Sequence, residues 1–265
     1  MADLELLTRD LHIEHVELDL LLAELRDSEW DRETPAEGWT IRDQVGHLAF
    51  FDEQARTAVA EPKAFMQGLE AAAADIAAFT NDPLEKGRAM APAEVLGWWR
   101  NARSQMLASF EGLESKQRVP WFGPPMSSSS FVTARLMETW AHGQDVFDAL
   151  GRDREPTDRL RHVAFLGVRA RPYSYITNGL EAPTDEVRVE LRAPGGQTWV
   201  FGDSQIESVR GSALDFCLVV TQRRHLDDTD LEVEGPSAAK WMSIAQAFAG
   251  PPGKGRIAGQ FPSSH

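Results

Sequence analysis

The stretch Phe131-Val-Thr-Ala-Arg-Leu-Met-Glu-Thr-Trp-Ala-His-Gly-Gln-Asp-Val-Phe-Asp-Ala-Leu150 constrains this chain more than any other. It reads as one helix. Within it Glu138 and His142 are four residues apart, so they project from one face, one turn apart. A carboxylate and an imidazole placed this way can grip the same ion. Upstream, Thr40 reads as an N-cap with Asp43 three residues on, opening a helix from Ile41 to about Val59 that carries His47. Val45, Leu48 and Ala49 give this helix its inner face, and His47 lies close to it. A lone inward histidine is more often a hydrogen-bonded core residue. Where the two helices are neighbours in a bundle, however, His47, Glu138 and His142 make a two-histidine, one-carboxylate metal site with positions left open for water or substrate.

The rest of the first 155 residues supplies the bundle. Residues 3–27 carry Leu4, Leu7, Leu11, Val16, Leu18, Leu21, Leu22 and Leu25 as an apolar stripe. His12 and His15 lie on it three apart, with weak claim to a metal. Residues 64–79 read as an alanine-rich helix, Asn81-Asp-Pro83 as a turn, and Pro92 opens a helix to about Gly112 with Trp98, Trp99, Met106 and Phe110 as core. Residues 117–130 are rich in proline and serine and read as a connection. Trp121, Phe122 and Met126 within it are candidates for the wall of a pocket leading into the metal helix. Arg135, three before Glu138, and Asp145, three after His142, are candidate orienting partners, since a ligating histidine normally donates its other N–H to an oxygen.

A connecting helix is expected over about 157–177, within a linking segment 156–180. Beyond Pro183 the hydrophobic period changes to two: strands at Val187–Leu191 and Thr198–Phe201, a helix from Gly211 to about Gln222, a strand at Leu231–Gly235 and a helix capped by Ser237 and running to Phe248. The expected organisation is therefore a mainly α chain: a helical metal-binding bundle over 1–155, a small α+β domain over 181–250, and an irregular tail over 251–265. Ala249-Gly-Pro-Pro-Gly-Lys-Gly-Arg256 lacks the order of a phosphate loop.

These residues carry a resemblance. Gly38-Trp-Thr-Ile-Arg-Asp-Gln-Val-Gly-His-Leu48, followed by Arg135-x-x-Glu138-x-x-x-His142-x-x-Asp145, resembles the N-terminal domain of mycothiol-dependent maleylpyruvate isomerases, a branch of the DinB-like four-helix-bundle superfamily. The hairpin and Gly211–Val220 are similar to the small sterol-carrier-like domain that accompanies that bundle, and Phe248–Arg256 resembles an actinobacterial metal-binding subfamily. The resemblance implies a divalent metal, zinc first, held by His47, Glu138 and His142. It also implies a low-molecular-weight thiol, mycothiol, as co-substrate, and a basic residue of the small domain that anchors substrate carboxylates. Arg210, Arg223 and Arg224 are the candidates, each also readable as a surface arginine.

Three functions compete: a metal-dependent thiol transferase or isomerase, which is favoured; a metal-dependent hydrolase of a small ester or amide, with Asp52 or Glu53 as base; and a non-catalytic small-molecule-binding protein with a structural metal. A net charge of −14 argues against nucleic acid as partner. No apolar run approaches the ~20 residues of a membrane span, and no signal peptide is evident. The single cysteine, Cys217, sits among apolar residues, reads as inert core and fits a reducing cytoplasm. The substrate and the oligomeric state, a homodimer included, stay open.

Overall fold

The computed structural model describes residues 4–74 and 76–261, side chains of residues 72–82 excepted. Asp3 and the end of the expected tail, residues 262–265, lie outside it. The chain divides into two compact units, Met1–Asp153 and Arg154–His265.

The first unit is a bundle of four long helices: α1 (Leu4–Ala23), α2 (Ile41–Ala60), α5 (Pro92–Ser109) and α6 (Ser128–Leu150). Helix α2 packs on both α5 and α6, and α6 packs on α1. The α1 stripe is broadly as expected, with one exchange. Val16 is exposed, whereas Glu14 and His15 are buried with Leu7, Leu11, Leu18 and Leu22. His12 points outward, so the two histidines share no site. Trp99 and Met106 of α5 are fully buried with Ile41, Val45 and Leu48 of α2. Each such side chain contributes roughly 1.5–3 kcal/mol by leaving water.

Helix α2 starts where its sequence says it should. Thr40 Oγ1 accepts from the Asp43 amide at 3.3 Å, and Asp43 Oδ2 accepts from the Thr40 amide at 2.9 Å. Arg88 then clamps Asp43 at 2.8 Å. Between α2 and α5 lie α3 (Pro62–Ala74) and α4 (Ile76–Ala89). The turn expected at Asn81-Asp-Pro83 is not there: α4 continues through Pro83.

The connection over 117–130 also differs from expectation. It is an antiparallel hairpin of β1 (Arg118–Trp121) and β2 (Gly123–Ser127), with a register irregularity between Val119 and Trp121. Pro120, Pro124 and Pro125 are tolerated because a two-stranded ribbon has only edges. The serine run does cap α6, as Ser127 Oγ accepts from the Ser130 amide. Helix α6 therefore starts three residues before Phe131.

In the second unit the single connecting helix is two, α7 (Leu160–Arg169) and α8 (Arg171–Thr177). They pack into this unit rather than bridging to it: α7 lies on α9 (Ala213–Val220), and α8 touches α10 (Pro236–Met242). A four-stranded sheet has the order β4-β3-β5-β6, from β3 (Arg188–Arg192), β4 (Thr198–Phe201), β5 (Ser208–Ser212) and β6 (Glu232–Glu234). Strands β3 and β5 are parallel and the other pairs antiparallel. Strand β5 was hidden in the sequence because Ser208-Val-Arg-Gly-Ser212 has one apolar side chain among its five residues. Helix α9 consequently starts after Ser212, whose Oγ accepts from the Asp215 amide. Helix α10 ends at Met242 instead of Phe248.

Candidate metal centre

His47 from α2 and Glu138 and His142 from α6 converge. One ligand atom from each lies within 4.8 Å of the others. Glu138 Oε2 is 3.2 Å from His142 Nε2 and 3.6 Å from His47 Nε2. The i, i+4 spacing supplies the first pairing and the packing of α2 on α6 supplies the second. All three side chains are recessed but not sealed.

A hydrogen-bond chain fixes which nitrogen of His142 faces its neighbours. Thr34 Oγ1 donates to the Trp39 carbonyl at 2.9 Å, so its lone pairs accept. Gln44 Nε2 donates to that oxygen at 2.9 Å. Gln44 Oε1 is thereby turned to His142 Nδ1, at 2.5 Å, and can only accept. Nδ1 therefore carries a proton, and Nε2 is the ring nitrogen that faces Glu138 and His47. This is the orientation a metal-ligating histidine needs. The donor set and its orientation fit a divalent ion such as zinc, which takes imidazole and carboxylate together.

Electrostatics agree. Burial, and next the proximity of His142, hold the His47 imidazole down at about 4, so it is neutral at physiological pH. Burial alone pushes the Glu138 carboxyl up, but hydrogen bonds from His142 and His47 outweigh it and hold the group well below the carboxylate range. His47 is thus a neutral donor beside an anionic Glu138.

Gln44 is the residue that sequence reasoning missed; its place in the Gly38–Leu48 motif, one turn before His47, was the available signal. Asp145 is fully buried on α6, but the oxygen facing His142 Nδ1 belongs to Gln44. Arg135 turns to Asp52 of α2, with Nη2 at 2.8 Å, and Trp99 Nε1 reaches the other Asp52 oxygen at 3.2 Å. Burial raises the Asp52 carboxyl despite Arg135. Glu53 accepts from Trp98 Nε1 at 2.7 Å.

Aromatic rings surround these side chains. Trp39 stacks on His142 at 5.9 Å and tilts against His47 at 5.2 Å. Phe51 meets His47 at 4.5 Å. Trp121 and Phe122 of the hairpin touch Phe51, while Met126 lies half-buried on β2.

The arginines of the second unit are occupied in different ways. Arg210 pairs with Glu234 at 3.0 Å on the β5–β6 edge. Arg223 donates to the Thr221 carbonyl at 2.6 Å. Arg224 lines a cleft of about 330 Å³ with His225, Lys254 and Arg256. Cys217 is buried and donates to the Leu160 carbonyl, and burial pushes its thiol well up.

Over 257 residues the chain is 48% identical to an uncharacterized protein of Mycobacterium tuberculosis present in two strains, covering 97% of this chain and all of the relative. Among solved structures it is similar to the mycothiol-dependent maleylpyruvate isomerase, with TM-score 0.57 and 16% identity over 89% of this chain and 96% of that one. A histidine-to-alanine variant of that enzyme gives TM-score 0.59 and 14% identity at the same coverage. At such identity the likeness speaks for the fold: mainly α, a helical bundle followed by a small α+β unit. The model of the mycothiol maleylpyruvate isomerase N-terminal domain matches residues 11–147, which takes in α2, most of α6 and all three converging side chains, and the chain belongs to that family.

Proposed function

We propose that this protein is a metal-dependent enzyme in which His47, Glu138 and His142 hold one divalent ion, zinc in the first place, and that it uses a low-molecular-weight thiol of the mycothiol type to isomerise or conjugate a small electrophile. The observation that carries this reading is the three-donor cluster with His142 already oriented by Gln44. Among the described residues no fourth His, Cys, Asp or Glu joins the cluster, and an open position is what separates catalytic from structural sites.

The ion, when bound, supplies a place where a thiol sulfur gives up its proton and is kept as thiolate. The chain's own residues do the rest. Glu138 contributes a single negative charge, so the centre retains one positive charge and accepts one anion. Trp39 and Phe51 pack on the imidazoles and keep bulk water away from them. In the reaction class proposed, the sulfur bonds to an electrophilic carbon and the π pair moves onto the conjugated carbonyl. Return of that pair after bond rotation expels the thiolate and gives the isomer. Protonation of the adjacent carbon instead leaves a thioether.

The hydrolytic alternative needs a free general base, and both candidates are engaged: Asp52 by Arg135 and Trp99, Glu53 by Trp98. A non-catalytic protein with a structural metal needs a fourth protein ligand.

Metal content of the purified protein, beside His47→Ala and Glu138→Ala, tests the proposal. About one ion per chain is expected in the wild type, with loss in both variants while the helical circular dichroism persists. A wild type that neither retains nor takes up a divalent ion would overturn it.

A further inference from the structure

We propose that the electrophile taken by this site has a flat apolar body, aromatic or conjugated, which docks on the wall formed by Phe51, Trp121 and Phe122 and backed by the buried Phe65. The inference rests on the thiol-dependent reading above and names its substrate class.

The wall begins at a ligand. Phe51 lies one turn after His47 on α2, and their rings are 4.5 Å apart. From Phe51 the rings run on without a break, to Phe122 at 5.7 Å and Trp121 at 6.3 Å, and from both of these to Phe65. Phe65 and Trp121 stack with planes only 4° apart at 5.6 Å. Trp121 also stands edge-on to the buried Phe131 at 5.0 Å, so the hairpin is pinned to the start of α6. Phe51, Trp121 and Phe122 nevertheless stay partly open to solvent. Apolar rings held rigid and partly uncovered beside a reactive centre are what small-molecule sites use to orient a ligand.

Charge points the same way. The arginines on the surrounding elements of this unit are engaged. Arg42 pairs with Asp31, Arg56 with Glu61, Arg88 with Asp43 and Arg135 with Asp52, each at 2.8 Å, and Arg118 donates to the Pro125 carbonyl. A substrate carboxylate laid on this wall would lose water and meet arginines already committed to these partners. A flat apolar body loses nothing and covers the rings.

The test uses cobalt(II)-loaded full-length protein, in which a bound thiolate is read from its sulfur-to-cobalt absorption. Two probes carry, on the sulfur to which the electrophile's carbon would bond, bodies that stand in for the electrophile's: 2-phenylethanethiol and 3-mercaptopropionate, with 2-mercaptoethanol as the small reference. The phenyl probe is expected to saturate the band at a concentration at least ~10-fold lower than the carboxylate probe. Trp121→Ala and Phe122→Ala should each weaken the phenyl probe several-fold and leave 2-mercaptoethanol unchanged. Circular dichroism establishes that each variant is folded. Equal or tighter binding of 3-mercaptopropionate, or a loss shared by all three thiols in both variants, overturns the aromatic-substrate inference while leaving thiol binding intact. Cobalt that binds but shows no sulfur band with any thiol overturns the thiol reading itself, and this inference with it.

Discussion

Gln44 is uncharged, yet it decides which nitrogen of His142 is free. Its amide donates to Thr34, which is itself fixed by the Trp39 carbonyl, so the orientation is already paid for before any ion arrives. Gln44→Leu should leave the fold intact and lower metal affinity about 10–100-fold, measured by competition with a chelator. Gln44→Glu should restore part of it, since a carboxylate also accepts from Nδ1. His15 gives a different residue-scale prediction. It is completely buried, neither ring nitrogen has a hydrogen-bond partner, and burial followed by the charge of Arg103 lowers its pKa well below 6.5. The unfolded chain therefore takes up a proton that the folded one refuses. Stability from this group is complete above ~6.5 and falls by up to ~1.4 kcal/mol per unit as pH drops below it. His15→Leu should flatten that part of the wild-type profile of urea midpoint against pH between 7 and 5. Identical slopes in the two proteins would sink the idea.

At the scale of elements, the site depends on how α2 and α6 meet. Asp52 follows His47 by five residues and Arg135 precedes Glu138 by three, so their pairing ties the two ligand-bearing helices just beyond the metal centre. Both side chains are at most 3% exposed. Asp52→Leu strands a buried guanidinium and should cost roughly 3–5 kcal/mol, whereas Asp52→Leu with Arg135→Met should recover much of it. Thermal or urea unfolding of the two variants checks the order. The start of α2 is a smaller matter: Thr40→Ala removes one half of the capping box and should cost about 1 kcal/mol. The hairpin β1–β2 brings Trp121 and Phe122 to Phe51, which no regular helix-to-helix turn would do.

For the whole molecule, the proposed metal site predicts that ion binding and folding of the first unit are linked. An ion that binds only the native cluster at about 100 times its dissociation constant adds about 2.7 kcal/mol. The melting temperature should rise by roughly 5–10 °C and fall again with a chelator, and His47→Ala should abolish the response. In the second unit Cys217 should resist a thiol reagent until the chain unfolds, because its sulfur is covered by α7 and α9 packing and its thiol is kept protonated. No helix among the described residues is long and apolar enough to cross a membrane.

Sequence alone was sufficient wherever the decisive interaction is local. The Thr40–Asp43 box, the i, i+4 placement of Glu138 and His142, and the alternation of Val189 and Leu191 in β3 each follow from a repeat of one element, and all are in the structure. The change from helical to alternating pattern likewise marked out two architectures. Tertiary structure decided what spans tens of residues or contradicts local preference. Gln44 meets His142 across 98 residues and Arg135 meets Asp52 across 83, and no periodicity encodes either pairing. Helix α4 runs through Pro83, and a proline-rich ribbon forms where a plain connection was expected, because packing against α2 and α6 outweighs the local cost. Local rules fix which side chains share a face; only the packed bundle fixes which faces meet, and the site lies where two of them do.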